Sequence, residues 1–471
     1  MSLWAVYEFE RKLLNACRLM TERGLRVDDA LRRERIAALA SRAAPLEAEA
    51  AELVRALPQE RLTKRELFYK TKTCKTCRNG KKKRLTCAVC GGAGKAETFE
   101  FNFDSPQQLA DVLYRVLKLP VRTRDNKITT DEEALQSLAA LDKSGLVVKA
   151  LQFRKLSTMR EIYERFAPAL DNRVRSVFNP AGTLTGRLSS RGAFYVEAST
   201  NLQNPPAFEA GRDPLYEVRG VVTPSDGHVF LYADLSQAEA RVVACLTRDE
   251  ALLARWQAPT WNIHKWTGSH FFGRLEEEIV KGSFEYFISK QTRHARNYRE
   301  GDGRFWRYIN SMSDLTGFAI TQKQAKEFGQ KYLTLHPGLE VWWVEVEAKL
   351  RAEQPLTTAF GRSCNFWPRL DSEAVDSDTL QSAIAYEPQS TIADLLNTGL
   401  LAVIAAEDSS FRVVHQIHDA ILVEVRSGLV RSVAAKIKRL LERPLTVRGY
   451  DLMIPAEVFV GPKNWAELER V

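Results

Sequence analysis

Two apolar strand patterns, residues 228–234 and 413–425, each bring an aspartate to a strand end, and this limits the fold more than any other feature. The run Val229-Phe-Leu-Tyr-Ala closes on Asp234, and Asp419 sits at the turn of the hairpin pattern Val413-Val-His-Gln-Ile-His418-Asp419-Ala420-Ile-Leu-Val-Glu-Val425. Runs this apolar belong inside a sheet, where a carboxylate at the tip is costly unless something binds it. Taken singly, such an aspartate is more often a turn former. Two of them, delivered by separate strands, can bridge a pair of Mg²⁺ ions about 4 Å apart, one polarising a hydroxyl and the other holding a phosphate chain.

The chain has 471 residues, too long for one compact core, so about two to four packed subdomains are expected. Its 45% hydrophobic and 27% charged residues suit a globular protein. It has no run of about eighteen apolar residues to span a membrane. Met1-Ser-Leu-Trp-Ala-Val-Tyr-Glu lacks a secretory cleavage pattern, so a reducing cytoplasm is the expected compartment and paired cysteines read as metal ligands before disulfides. Residues 9–57 read as two helices, the first ended by Gly24 as a left-handed cap and the second begun by Asp28 or Asp29, with Leu31, Ile36, Leu39 and Leu46 as its apolar stripe. Ser105-Pro-Gln-Gln108 reads as a helix start. Beyond Leu151 come glycine-punctuated strands and turns (179–206), the first apolar strand, a helix-rich stretch (237–350) and the hairpin (411–425). One subdomain thus looks interrupted by another.

Cys74-Lys-Thr-Cys77 and Cys87-Ala-Val-Cys90 are two C-x₂-C pairs nine residues apart. Each pair can place two thiolates on one tetrahedral ion, so one structural Zn²⁺ on Cys74, Cys77, Cys87 and Cys90 is expected. Gly91, Gly92 and Gly94 suit the tight backbone such knuckles need. Cys17, Cys245 and Cys364 stand alone in apolar surroundings and read as packing residues. From Arg61 to Arg84 there are eleven Lys or Arg and one acid, Glu66, within a net charge of +9. That bias suits phosphate contact better than a bland solvated face.

Asp234-Leu-Ser-Gln-Ala-Glu239-Ala-Arg241 and Ile417-His418-Asp419 resemble motifs A and C of the family A DNA polymerases. Other family patterns follow in order: Thr185-Gly-Arg187-Leu-Ser-Ser190, Asn201-Leu-Gln203-Asn-Pro-Pro206, Ile263-His264-Lys-Trp-Thr267, His336-Pro-Gly338, Phe360-Gly-Arg362 and Pro388-Gln389-Ser-Thr-Ile-Ala-Asp394. Gly24-Leu-Arg-Val-Asp28 and Phe101-Asn-Phe-Asp-Ser-Pro-Gln-Gln-Leu109 match upstream, so the likeness covers nearly everything but the cysteine segment. It implies an α+β right-hand fold of palm, fingers and thumb, with an antiparallel palm sheet and a small zinc-knuckle insertion. The expected layout is N-terminal helices at 1–66, the insertion at 67–98, thumb at 99–165, palm at 166–243, fingers at 244–355 and palm again at 356–471.

The same resemblance implies DNA-templated extension of a primer with deoxynucleoside triphosphates. Asp234, Asp419 and the Leu235 carbonyl would hold two Mg²⁺ ions, and Glu239 would act as a steric gate against ribose. Arg187, Gln389, His418, Arg362, Asn201 and Gln203 would meet primer–template DNA. Lys290, His294 and Tyr298 stand four apart on one helix face: Lys290 for the triphosphate, His294 near the sugar, Tyr298 as partner of Glu239. His264, Arg293 and Gln237 complete the nucleotide contacts. Tyr286 stands where the family has arginine, and a second register, set by Asn297-Tyr298, would move each assignment by one turn. Ala420 replaces the family's glutamate. The chain starts almost at the polymerase module, so proofreading is expected from a separate exonuclease or replisome protein, or not at all; a monomer is expected, and a phage-like origin fits. The alternatives are a relaxed polymerase using ribonucleotides or RNA templates, and a catalytically silent DNA-binding scaffold.

Overall fold

The computed structural model describes residues 3–62, 64–74, 76, 87, 89–90, 93–124, 126–205, 213–256, 261–368, 370–371 and 374–471. Cys77 and most of the basic loop after it, like Gly91 and Gly92, lie outside the described residues. The chain divides into two compact units, Arg33–Glu164 and the combination of Met1–Arg32 with Arg165–Val471.

Helix α1 (Leu3–Arg23) stops at Gly24, whose φ of +56° and N–H bond to the Met20 carbonyl (3.1 Å) form a left-handed cap. Glycine is required here twice over, because a Cβ would meet the Val174 carbonyl oxygen at 2.7 Å. Strand β1 (Leu25–Val27) follows, and the Asp28 carboxylate accepts the Leu31 N–H (3.0 Å) to start α2 (Asp29–Ala56).

In the smaller unit, β2 (Tyr69–Thr73) and β3 (Lys95–Phe99) pair as an antiparallel ribbon whose end pair, Thr73 and Lys95, adjoins Cys74. Phe68, Phe101, Phe103 and Phe153 build an aromatic core, with successive ring centroids 6.4, 5.2 and 5.3 Å apart. Ser105 caps α3 (Pro106–Ala110) with proline in the first turn. The Gln108 side chain is buried and donates to the carbonyls of Leu67 and Glu100, stitching the segments that flank the ribbon. Helices α4 (Glu132–Ala139), capped by Asp131, and α5 (Leu146–Arg165) complete the unit.

In the larger unit, β4 (Arg173–Val174) and β7 (Val222–Thr223) flank β1 in a three-stranded antiparallel sheet. Between them, β5 (Val177–Asn179) and β6 (Ser189–Arg191) form a hairpin. The main sheet is built on β8 (His228–Leu235). Helices α6 (Ala238–Leu246), α7 (Ile263–Phe272), α8 (Phe284–Asn297), α9 (Asp302–Ser311), α10 (Gln322–Leu335) and α11 (Gly338–Arg351) come next. Then follow the long α12 (Ser377–Ala405), strands β9 (Phe411–Ile417) and β10 (Ala420–Arg426), α13 (Val430–Leu441), and strands β11 (Ala456–Gly461) and β12 (Glu469–Arg470). The sheet is antiparallel, in the order β9-β10-β8-β11-β12. Its residues Leu231, Ala233 and Val423 share one core with Leu395 and Leu400 of α12 and Leu13 of α1, all buried. Burial on so many sides explains why α12 is apolar around most of its circumference. Among the described residues no helix is long and apolar enough to cross a membrane.

Candidate active site

The sheet register puts the two aspartates at neighbouring strand ends. Asp234 pairs with Ala420 on one side and Glu457 on the other, so these three side chains share a face. Asp419 occupies the two-residue turn between β9 and β10, and its carbonyl accepts the Leu235 N–H at 3.1 Å. His418 takes a left-handed φ of +47°, and its carbonyl accepts the Gln416 amide at 2.6 Å. Burial pushes the Asp234 carboxyl up to about 7, helped by repulsion from Asp419 and Glu457 and opposed by Lys290 and Arg219. Burial raises Asp419 as well, against the pull of Arg187. Charge crowded in this way favours a bound cation.

A cavity of about 780 Å³ opens over these carboxylates. Asp234, Leu235 and Asp419 line its floor; Glu239, at the start of α6, adjoins them. Arg187 donates through one nitrogen, Nη2, to Glu239 (3.0 Å) and to Asp419 (3.2 Å). Helix α8, capped by Ser283, presents Lys290, Arg293 and His294 to the cavity, and Tyr298 follows at its C-cap. His294 Nδ1 lies 3.9 Å from Glu239. The Tyr298 hydroxyl stands against Glu239 and Gln389, its pKa pushed well up by burial and by the Glu239 charge. His264 projects from α7, held neutral by burial and by Arg293, His294 and Lys290. Among the described residues, buried Arg187 Nε, His264 Nδ1 and Arg293 Nε have no hydrogen-bond partner, a lining that suits a polar, anionic ligand.

Most expected site residues therefore meet in one place, Gln389 and His418 included. Three do not line the cavity. Arg362, expected to contact DNA, is instead buried and bonded to Asp394 and Glu10. Gln203 is likewise buried, its amide donating to the Gln416 side chain at 2.9 Å, so it braces the turn that carries Asp419 from behind. Asn201 is exposed, but its side-chain oxygen accepts from Ser190 and from the Gln203 N–H, both at 2.9 Å. Gln237 does line the cavity, yet its amide is occupied with the Ile263 N–H (3.0 Å) and the Trp261 carbonyl (3.3 Å). Sequence reasoning missed Arg219 and Glu457, which act on Asp234, and Glu300 and Tyr308 in the cavity wall, where Asn297 of the second register also lies. A carboxylate interrupting the apolar run Ala456-Glu-Val-Phe-Val was a usable signal for Glu457; Arg219 had none.

In the smaller unit the thiols of Cys74, Cys87 and Cys90 all lie within 4.8 Å of one another. The Cys74–Cys87 sulfur separation is 3.9 Å, close to the edge of about 3.8 Å for a tetrahedron with Zn–S bonds of ~2.3 Å. Gly94, at φ +72°, accepts the Cys74 N–H at 3.0 Å and closes the loop.

The sequence pattern of DNA polymerase family A matches residues 82–467. DNA polymerase I of Pseudomonas aeruginosa is 30% identical over 384 residues, covering 78% of this chain and 38% of that protein. The thermostable DNA polymerase I of Thermus thermophilus is 28% identical over 370 residues, covering 77% of this chain and 41% of its own. The chain thus spans about two fifths of the length of these curated relatives. Among solved structures, the POL domain of Pol1 from M. smegmatis, in complex with DNA primer-template and dNTP, superposes with a TM-score of 0.71 at 21% identity, covering 95% of this chain and 69% of that one.

Proposed function

Because the chain belongs to DNA polymerase family A, we propose that it extends the 3′ end of a DNA primer, copying a DNA template with deoxynucleoside triphosphates. The observation that carries this reading is the convergence, over one cavity, of two strand-end aspartates, the Lys290–Tyr298 stripe of α8 and Glu239. In this reading the five-stranded sheet is the palm, the helices of 244–355 are the fingers, and 99–165 is the thumb. The solved relative carries primer-template DNA and a dNTP, and the same two ligands are assigned here.

Asp234, Asp419 and the Leu235 carbonyl would hold two Mg²⁺ ions, which when bound lower the pKa of the primer hydroxyl and neutralise charge on the triphosphate. Lys290, whose charge already bears on Asp234, meets the triphosphate, with buried Arg293 and His264 behind it. Glu239, held by Arg187 and facing Tyr298, fills the space a ribose 2′ hydroxyl would need. Arg187, Gln389 and His418 read the minor groove at the primer end, where hydrogen-bond acceptors are nearly the same for every correct pair. Cys74, Cys87 and Cys90, with Cys77 as fourth ligand, hold one structural Zn²⁺.

Extension of a primed DNA template tests this. The native chain extends with dNTPs and Mg²⁺, and Asp234→Ala or Asp419→Ala lowers the rate by about a thousandfold or more while DNA binding persists. Activity surviving both changes would rule out the paired-carboxylate assignment. In the same assay Glu239→Ala raises rNTP use relative to dNTP; an unchanged ratio removes Glu239 from the gate.

A further inference from the structure

Arg362 and Asp394 form a buried ion pair beneath the turn that carries Arg187. Arg362 Nε donates to both oxygens of Asp394 (3.2 and 3.1 Å), and Nη2 donates to one of them (2.9 Å). Nη1 donates to Glu10 at 2.7 Å. The two paired side chains are only 8% and 1% exposed. A pair this deeply buried is weak evidence for stability, because desolvation offsets most of the attraction. It does fix a rigid, planar cation in space.

Gly186 lies on that plane. Its φ is +74°, and a Cβ built on it would stand 2.9 Å from the Arg362 guanidinium carbon, 3.0 Å from Nη2 and 3.1 Å from Nε. The buried Asn397 amide donates to the Gly186 carbonyl at 2.9 Å. Asp394 and Asn397 are three apart on α12, hence on one face of the helix. The Thr183 hydroxyl closes the turn by donating to the Arg187 carbonyl at 2.8 Å. The next contact outward is Arg187 on Glu239 and Asp419.

We propose that Arg362, Asp394 and Asn397 are positioning residues for Arg187. The guanidinium of Arg362 is a shelf that sets the height of the 183–187 turn, and Asn397 fixes its orientation, so that the Arg187 side chain arrives between the gate carboxylate and the metal-binding carboxylate. None of the three touches substrate; each acts through Gly186. The inference rests on the polymerase reading of the cavity.

A double-mutant cycle on primer extension tests it, because residues acting through one side chain are non-additive with its removal. Gly186→Ala and Asn397→Leu are each combined with Arg187→Ala, and the thermal midpoint is recorded for every variant. Each single change is expected to lower kcat/KM by roughly tenfold to a hundredfold, as for a small misplacement of a catalytic-site group. Added to Arg187→Ala, each is expected to cost less than about twofold more. Fully multiplicative losses overturn the proposal. Arg362→Met alone leaves Asp394 buried and unpaired, which is strongly destabilising, so Arg362→Met is made together with Asp394→Leu; that pair is expected to keep the thermal midpoint and still lose activity, without further loss from Arg187→Ala. Full activity in the pair overturns the shelf role. A native chain that extends no primer strikes the polymerase reading instead, and the inference falls with it.

Discussion

A carboxyl pushed up to about 7 by burial and by its neighbours Asp419 and Glu457 ties Asp234 to the stability of the metal-free protein. Its folded pKa lies above its value in the unfolded chain, about 3.9. Folding therefore takes up a proton between those two values, and the group's contribution is present below about pH 4 and lost as pH rises through 7. Buried histidines run the other way: burial lowers His264 and brings His415 down to about 3, and they lose stability as pH falls below their unfolded value. Comparing native protein with Asp234→Asn isolates the aspartate. Without metal, the unfolding free energy of native protein relative to the variant is expected to rise on going from pH 8 to pH 5, by on the order of 1 kcal/mol or more. A difference independent of pH would mean Asp234 is not held in that field. At this scale the sequence was legible wherever chemistry and position coincide. Asp234, Asp419 and Lys290 announced themselves through strand ends and helix spacing. Arg362 and Gln203 did not, because what turns them inward is a partner far along the chain: Asp394 and Glu10 for one, Gln416 for the other.

Helix α7 shows how an element is aimed. Two side chains serve its first three N–H groups: Gln237 accepts from Ile263 (3.0 Å), and Asn262 from His264 (2.9 Å) and Lys265 (3.2 Å). Gln237 reaches the Ile263 N–H from a left-handed backbone, φ +52°, two residues after β8. The aspartate-bearing strand and the His264 helix are thereby held in one frame. Asn262→Ala is expected to cost about 1 kcal/mol of stability and to raise KM for the nucleotide severalfold with little change in kcat. An equal fall in kcat with KM unmoved would show that the cap does not govern His264. The Gly24 cap, the Ser105-Pro start and the strand patterns were readable because a local pattern sets them. The bridge from Gln237 was not, because its acceptor and donor stand 24 and 26 residues away. The Lys290–His294–Tyr298 stripe of α8 was legible from its spacing, whereas its partnership with Glu239 came from the family resemblance alone, because Glu239 stands on a separate helix, α6.

Two compact units, each with its own candidate metal site of different chemistry, make the whole molecule separable by ligand. The smaller unit holds a soft donor set, Cys74, Cys87 and Cys90, in the connection that joins β2 to β3. The larger unit holds a hard one, Asp234 and Asp419. Thiolates select Zn²⁺ and carboxylates with carbonyls select Mg²⁺, and each ion stabilises only the unit that binds it in the folded state. Calorimetry should then resolve two transitions. A zinc-selective chelator, or Cys87→Ser, is expected to lower one and leave the other in place. Mg²⁺ is expected to raise the other, through about 2.7 kcal/mol of added stability at a hundred times its dissociation constant, and Asp234→Asn to remove that gain without touching the zinc-dependent step. A chelator that shifts both transitions together would mean that the units unfold as one body. A chelator that shifts neither would mean that the three converging thiols hold no ion.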